Sequence, residues 1–367
     1  MRLTGLTLAD VRNYSALEFE PVPGVNVLAG PNAQGKSNLL EAIGLLGTGK
    51  SFRTSRESEL IAWGMPLASV SGTAALAAGT VRLACTLAAS AAGTRKIYTV
   101  NGGRVGYSHY LGRLRVVTFV PAHLQLVGGP PALRRSLLNA ALSQESPAYY
   151  AALANYAKHL AQKNALLRGG VSPDEDLLAT YDERLVASGT AIVLARRAFI
   201  ASLDERASPV YRRWAGGADG ELHLGYAANV PCDVPTADAV AAAFTQRLAD
   251  ARFAEAQRKT SLVGPHRDDL EFRLGERALA AFGSQGQQRT AVLALKVAEH
   301  ATLEAYAGEA PLLLLDDVLS ELDAERRRAF LEGVAGVEQA FITSTGAVDT
   351  PVAATFSVRA ARVERVA

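Results

Sequence analysis

The sequence predicts an α/β chain in which a nucleotide-type lobe of mixed strands is split by a mainly helical insertion. Three observations carry this expectation. A short apolar strand, Val25 to Ala29, runs into a glycine-rich loop and then a helical pattern from Ser37 to Leu46. About 280 residues later four leucines, Leu312 to Leu315, end in Asp316-Asp317, the pattern of a buried parallel strand closing in carboxylates. Between them, after Pro130-Pro131, apolar residues recur at helical spacing.

Length and composition set the bounds. At 367 residues the chain has room for roughly two domains, and 49% hydrophobic with 20% charged residues is globular. Two cysteines, Cys85 and Cys232, exclude a disulfide framework or a CxxC zinc module, and the six histidines show no metal-ligand spacing. No apolar run reaches the roughly 18 residues of a membrane span, and Met1 to Tyr14 alternates polar and apolar without a signal-peptide core. These features predict a soluble, reduced, cytoplasmic protein with no membrane role.

The elements follow in order. Val81 to Val100 reads as a hairpin turning at Ala91-Ala92-Gly93, with a second turn at Asn101-Gly102, and Val116 to Val120 as a strand stopped by Pro121. Tyr149, Leu153, Tyr156, Leu160 and Leu167 form one helical stripe, closed by Gly169-Gly170. A second stripe, Leu178, Tyr181, Leu185, Ile192, Phe199 and Leu203, follows Asp174 to Asp176, and Ser208-Pro209 should end or kink its helix. Together they predict a short antiparallel helical arm over about 147–214. A strand from Asp268 to Leu274, a helix opening near Ser284 and a last strand from Ala340 to Thr343 complete the reading. Lobe I would combine 1–121 with 283–367, and lobe II would be 122–282, ending at the motif around Ser284.

Net charge is only +2, but its distribution is uneven. Leu60 to Gln144 contains no Asp or Glu, while Arg82, Arg95, Lys96, Arg104, Arg113, Arg115, Arg134 and Arg135 lie within it. Such a stretch predicts a surface for a polyanion, nucleic acid first, with Arg95, Lys96, Arg113 and Arg115 as DNA contacts.

Gly30-Pro31-Asn32-Ala33-Gln34-Gly35-Lys36-Ser37 fits G-x-x-x-x-G-K-[ST] between a strand and a helix. Its backbone N–H groups would curl around phosphates, Lys36 would reach the β- and γ-phosphates, and Ser37 would ligate Mg²⁺. Asp316 would share that metal, and Asp317 would orient or deprotonate the attacking water. The long separation of the two elements disfavours a small P-loop kinase or GTPase. Ser284-Gln285-Gly286-Gln287 reads both as a capping box and as a phosphate-receiving helix start. Gly264 to Asp269 is a turn whose charged residues either pair locally or reach nucleotide or DNA.

With these motifs in this order, followed by Ser320-Glu321-Leu322-Asp323, the chain resembles the SMC branch of ABC-type ATPases. In detail it resembles the RecF family of bacterial recombination mediators, through Val11-Arg12-Asn13-Tyr14, Asn32 to Ile43, Gly49 to Arg53, Arg134-Arg135, Gly264 to Asp269 and Ser284 to Arg289. The resemblance implies an SMC-like ATPase head that binds ATP and Mg²⁺ and dimerises on ATP as a clamp on single-stranded, double-stranded or gapped DNA. It also implies a weak DNA-dependent ATPase, a nucleoid location, RecO and RecR as partners, and help in loading RecA during repair, replication and SOS induction. Lys36, Ser37, Asp316 and Asp317 of one subunit would face Ser284 and Gln287 of the other. Asp323 would link the sites, Arg12 and Asn13 would lie against the nucleotide, and Thr343, Ser344 or Thr345 would sense the γ-phosphate. A transporter ATPase subunit is the alternative; the Gly-Ser-Gln-Gly-Gln signature and Asp317 in place of a Glu disfavour it.

Overall fold

The computed structural model describes residues 1–90, 93–169, 174–215, 220–334, 336–346 and 352–366. The turn residues Ala91 and Ala92, and Gly170, lie outside the described residues. Contacts divide the chain into two compact units, Met1–Gln125 with Val292–Ala367, and Leu126–Ala291. Ser284 to Ala291 therefore clusters with the second unit.

The first unit is built on two sheets. One is mixed, in the order Arg362–Arg365, Ala354–Arg359, Gly24–Ala29, Gln339–Ser344, Leu312–Leu315, Val116–Phe119, and its neighbours are parallel except for the first pair. The four leucines of the strand next to Val116–Phe119 are buried on both faces, which is why this strand reads as an unbroken apolar run. The other sheet is antiparallel, in the order Tyr14–Phe19, Arg2–Val11, Leu67–Leu76, Gly79–Ser90, Gly93–Val100, Gly103–Val105. Here the alternation seen at the N-terminus pays out as one buried and one solvated face. Asn101 and Gly102 both take positive φ, so the second hairpin turns as a type I′.

Helix Lys36–Thr48 packs against strands of both sheets and is buried nearly all round, as its Leu-, Ile-, Ala- and Gly-rich sequence requires. Strands absent from the sequence reading include Tyr14–Phe19, Leu67–Leu76 and the C-terminal pair Ala354–Arg359 and Arg362–Arg365. The C-terminal pair is short, and its turn is made by Ala360 and Ala361 at positive φ, residues that carry no turn signal.

The second unit contains helices Pro131–Glu145, Pro147–Arg168, Glu175–Trp214 and Ala237–Arg258 beside a three-stranded sheet, Arg277–Ala278, Asp269–Leu274, Leu222–Ala227. The second and third helices form the antiparallel pair: Tyr149 meets Arg196 near one end, and Lys163 meets Asp182 near the other. Pro209 does not end the long helix, which continues to Trp214. That helix is also long and apolar enough, by length and composition, to cross a membrane, which amends the expectation drawn from runs alone. Its stripe of Leu178, Leu185, Ile192, Phe199 and Leu203 is instead buried inside this unit.

Two charged networks lock the helices. Arg196, 2% exposed, donates to Asp268, to the Pro265 carbonyl and to Asn139, whose amide oxygen also accepts from Tyr149. Lys163 lies 2.6 Å from both Asp182 and Glu255, with its side chain 1% exposed. Lys163→Met would leave Glu255, 1% exposed, without its cation, while Asp182 keeps Arg252 at 3.1 Å, so we expect a loss of about 3 kcal/mol, read by urea unfolding. An unchanged midpoint would show that the pair relaxes to solvent.

Candidate nucleotide site and the arginine-bearing sheet

The glycine-rich loop leaves the end of strand Gly24–Ala29. Gly30 and Gly35 both hold positive φ, and neither tolerates a side chain. A Cβ on Gly30 would lie 2.3 Å from the Val358 carbonyl oxygen, and one on Gly35 would lie 2.8 Å from the Tyr14 hydroxyl. Tyr14, wholly buried, donates to the Gly35 carbonyl and pins the loop from below. Gln34 pins it from the other side, accepting N–H bonds from Ala360 through its amide oxygen and from Ala361 through its carbonyl. The C-terminal strand pair, absent from the sequence reading, thus buttresses the loop. Lys36 Nζ donates to the carbonyls of Gly30 and Pro31 at 2.8 and 2.7 Å, which places the ammonium across the loop.

Parallel pairing carries the second half of the site to the same sheet edge. Gly24–Ala29 pairs with Gln339–Ser344, which pairs with Leu312–Leu315. Asp316 is buried and Asp317 is exposed with φ +52, so the two carboxylates occupy different environments. Burial raises the Asp316 carboxyl above the usual carboxylate range; a hydrogen bond from Ser37 opposes this, while Asp317 adds to it. Ser37 and Asp316, predicted as one metal pair, are therefore in contact.

Thr343 is placed differently from the expectation. It is 2% exposed, its hydroxyl accepts the Asp317 N–H at 2.8 Å, and it lies 3.2 and 3.3 Å from oxygens of Asp316 and Asp317. It sits behind the carboxylates and fixes them. Ser344 bonds the Gly346 carbonyl, and Thr345 is the exposed member of the three.

Arg12, at φ +55, is held by a bidentate pair with the buried Glu41, which also accepts from Ser51 and lies 3.5 Å from Arg53. Asn13 accepts from Asn38, whose own oxygen receives Arg53. Glu41 escaped the sequence reading, because a lone Glu in an apolar helix carries no local signal of its partners. Asp323 caps helix Ala324–Val334 through the Arg326 N–H and pairs with the Arg326 guanidinium, and that backbone bond holds its carboxyl below the usual range.

In the second unit Ser284 and Gln287 form a reciprocal capping box. The Ser284 N–H donates to Gln287 Oε1 at 2.8 Å, and the Gln287 N–H donates to Ser284 Oγ at 3.2 Å. The charged run at Gly264 to Asp269 is a packing element there. His266 bonds Tyr156, Arg267 donates to the Ser261 carbonyl, Asp268 binds Arg196, and Asp269 binds Arg134.

The acid-free stretch is less bare in space than in sequence. Lys96 pairs with Glu57 and donates to the Gly49 carbonyl, so it faces inward and is not an open DNA contact. Alternation along the strand puts its neighbour Arg95 on the opposite, solvated face. Arg134 is likewise taken by Asp269, Arg113 is exposed, and Arg115 is half-buried. Besides Arg2, which pairs with Glu338, the exposed arginines of the antiparallel sheet are Arg82, Arg95 and Arg104. Cross-strand rows Thr73–Arg82, Ala88–Arg95 and Thr99–Arg104 place them on one face, among Ser69, Ser71, Ala84, Thr86 and Ile97. Among the described residues they enter no ion pair, and no cluster of three His, Cys, Asp or Glu could hold a metal.

A P-loop strand, a partner strand ending in paired aspartates and an inserted helical unit define an SMC-like, ABC-type ATPase head. The RecF/RecN/SMC N-terminal domain family matches residues 2–358, and the chain belongs to it, grouping with the RecF proteins. It is 42% identical to the DNA replication and repair protein RecF of Thermosynechococcus vestitus over 94% of this chain and 91% of that one. It is also 42% identical to RecF of Symbiobacterium thermophilum, over 96% and 93%. Among solved structures, the recombination mediator protein RecF bound to ATP superposes with a TM-score of 0.90 at 32% identity, covering 100% of this chain and 97% of that one. The Smc head domain of Pyrococcus furiosus, at 16% identity and a TM-score of 0.55, over 99% of this chain and 95% of that one, shares the fold alone.

Asp316 gives a test with a defined sign. A carboxyl whose pKa rises on folding opposes stability above that pKa, and the penalty fades as pH falls below the unfolded value. Asp316→Asn should therefore raise the melting temperature of the nucleotide-free protein at pH 7–8, with the gain shrinking toward pH 4. A gain that grows on acidification would refute the assignment.

Proposed function

We propose that the chain is an ATP-switched DNA clamp of replication and recombinational repair. The observation that carries this reading is the meeting of Lys36 and Ser37 with Asp316 and Asp317 on one sheet edge, across about 280 residues of sequence. Gly30 to Ser37 would cradle the triphosphate of ATP, the nucleotide present in the similar RecF structure. The hard oxygens of Ser37 and Asp316 suit Mg²⁺, which would neutralise charge on the β- and γ-phosphates. Asp317, exposed and fixed through its N–H by Thr343, would orient the attacking water. Arg12, aimed by Glu41, and Asn13 would border the nucleotide.

Closure would come from a second copy whose Ser284 helix start receives the γ-phosphate, with Asp323 beside the junction. Hydrolysis would then release the clamp. Each site needs two subunits, and Asp317 is one methylene shorter than Glu, so turnover should be slow. The face bearing Arg82, Arg95 and Arg104 would take DNA, its Ser, Thr and Ala neighbours letting the phosphate backbone approach. RecR and RecO would engage the closed dimer at gapped DNA and so assist RecA.

Lys36→Met should abolish the dimer that light scattering detects with Mg²⁺ and a non-hydrolysable ATP analogue. Ser284→Arg should keep nucleotide binding and lose the dimer; an intact dimer would reduce Ser284 to a cap. Charge reversal of Arg82, Arg95 and Arg104 together should weaken duplex binding and lower its salt slope by about two to three. ATPase unresponsive to gapped DNA would favour the transporter-type reading.

A further inference from the structure

The segment Ile61 to Leu67 presents apolar side chains that the ATP site does not use. Trp63 is 101% exposed, Met65 43% and Leu67 45%, although Trp is among the more buried residue types on average. The geometry is built. The Met65 N–H donates to the Ala62 carbonyl at 3.0 Å, and Gly64 takes φ +80, so Trp63 stands at the first corner of a type II turn. Both ends are tied down, Ala62 N–H to the Asp10 carbonyl at 2.8 Å and the Pro66 carbonyl to Ala89 N–H at 2.9 Å. The indole at this corner is fully exposed, with no side of it covered by the rest of the chain.

The surroundings favour one kind of occupant. Leu67, Ala88 and Arg95 form a cross-strand row, which joins the apolar turn to the arginine-bearing face. Trp63 is four residues from Leu67, within about 14 Å along an extended chain. The two glutamates that precede the turn are engaged, Glu57 by Lys96 and Glu59 by Arg12 and Arg56, and Arg56 is itself largely exposed. A flat aromatic beside unpaired arginines fits a polyanion that carries stacking rings, which is single-stranded nucleic acid.

We propose that Trp63 is a stacking platform for unpaired bases, placed at the edge of the sheet whose arginines hold the phosphates. This rests on the DNA-binding reading above and adds to it a means of telling a single-stranded segment from duplex.

The chain has two tryptophans, so Trp214→Phe leaves Trp63 as the one indole reporter. In that variant, oligothymidylate and a gapped duplex should quench the emission, and a blunt duplex should quench it little. Trp63→Ala should lose roughly 5- to 100-fold in affinity for oligothymidylate, the range of one lost stacking contact. Its blunt-duplex affinity should stay within twofold, and Trp63→Phe should recover part of the loss. If labelled DNA binds by anisotropy while the emission is static and Trp63→Ala is unaffected, this proposal falls and the DNA reading stands. An equal loss on both ligands, or an emission change with a partner protein and not with DNA, also overturns it. Absence of any DNA binding removes both.

Discussion

The structure of the first unit hangs on one constraint: a carboxylate must be kept in a largely dry place next to a serine hydroxyl. Asp316 ends a strand that is apolar on both faces, and water is excluded from its flanks for that reason. The four leucines that bury it also raise its pKa. Strand Gln339–Ser344 is the hinge pin of the arrangement, since it pairs on one side with the P-loop strand and on the other with Leu312–Leu315. Thr343 sits on that middle strand and reaches the carboxylates of the second. A site assembled this way depends on sheet register, because a shift of one residue would turn Asp316, Thr343 and the loop to opposite faces.

The parts of the molecule legible in the sequence are those where a local pattern has one physical cause. The P-loop needs glycines at Gly30 and Gly35 because backbone and Tyr14 stand where a side chain would be. The arm was readable because apolar stripes at helical spacing leave one mode of burial. Glu41, Asn139 and the Gly264 to Asp269 run were not readable as contacts, because their partners lie tens to more than a hundred residues away. The contacts of Thr343 have the same character, because the aspartates it touches lie on the neighbouring strand, 26 and 27 residues away in sequence.

Charge shows the same divide. A stretch without acids in sequence is one without acids in space only if no other segment folds over it, and here Glu57 and Asp269 do so. What survives is set by strand alternation: Arg95 points out where Lys96 points in, and Arg82 and Arg104 join Arg95 through cross-strand rows. Ser, Thr and Ala side chains share that face with Ile97, which lies between Arg95 and Thr99.

The capping box at Ser284 carries the argument one step further. A helix start has more N–H groups than it has internal acceptors, and here Gln287 and Ser284 satisfy one donor each of the other's backbone. A phosphate arriving at that helix would compete with an acceptor already in place, so its binding is an exchange and not a simple gain. Exchange of this kind keeps the affinity of an isolated helix start for free phosphate low. On the proposed reading it would reserve the site for a phosphate also held elsewhere, by a lysine and a metal, where the second contact is nearly free of entropic cost. The cap and the phosphate receptor would then be one device, and the cap would make closure depend on nucleotide bound to a second subunit.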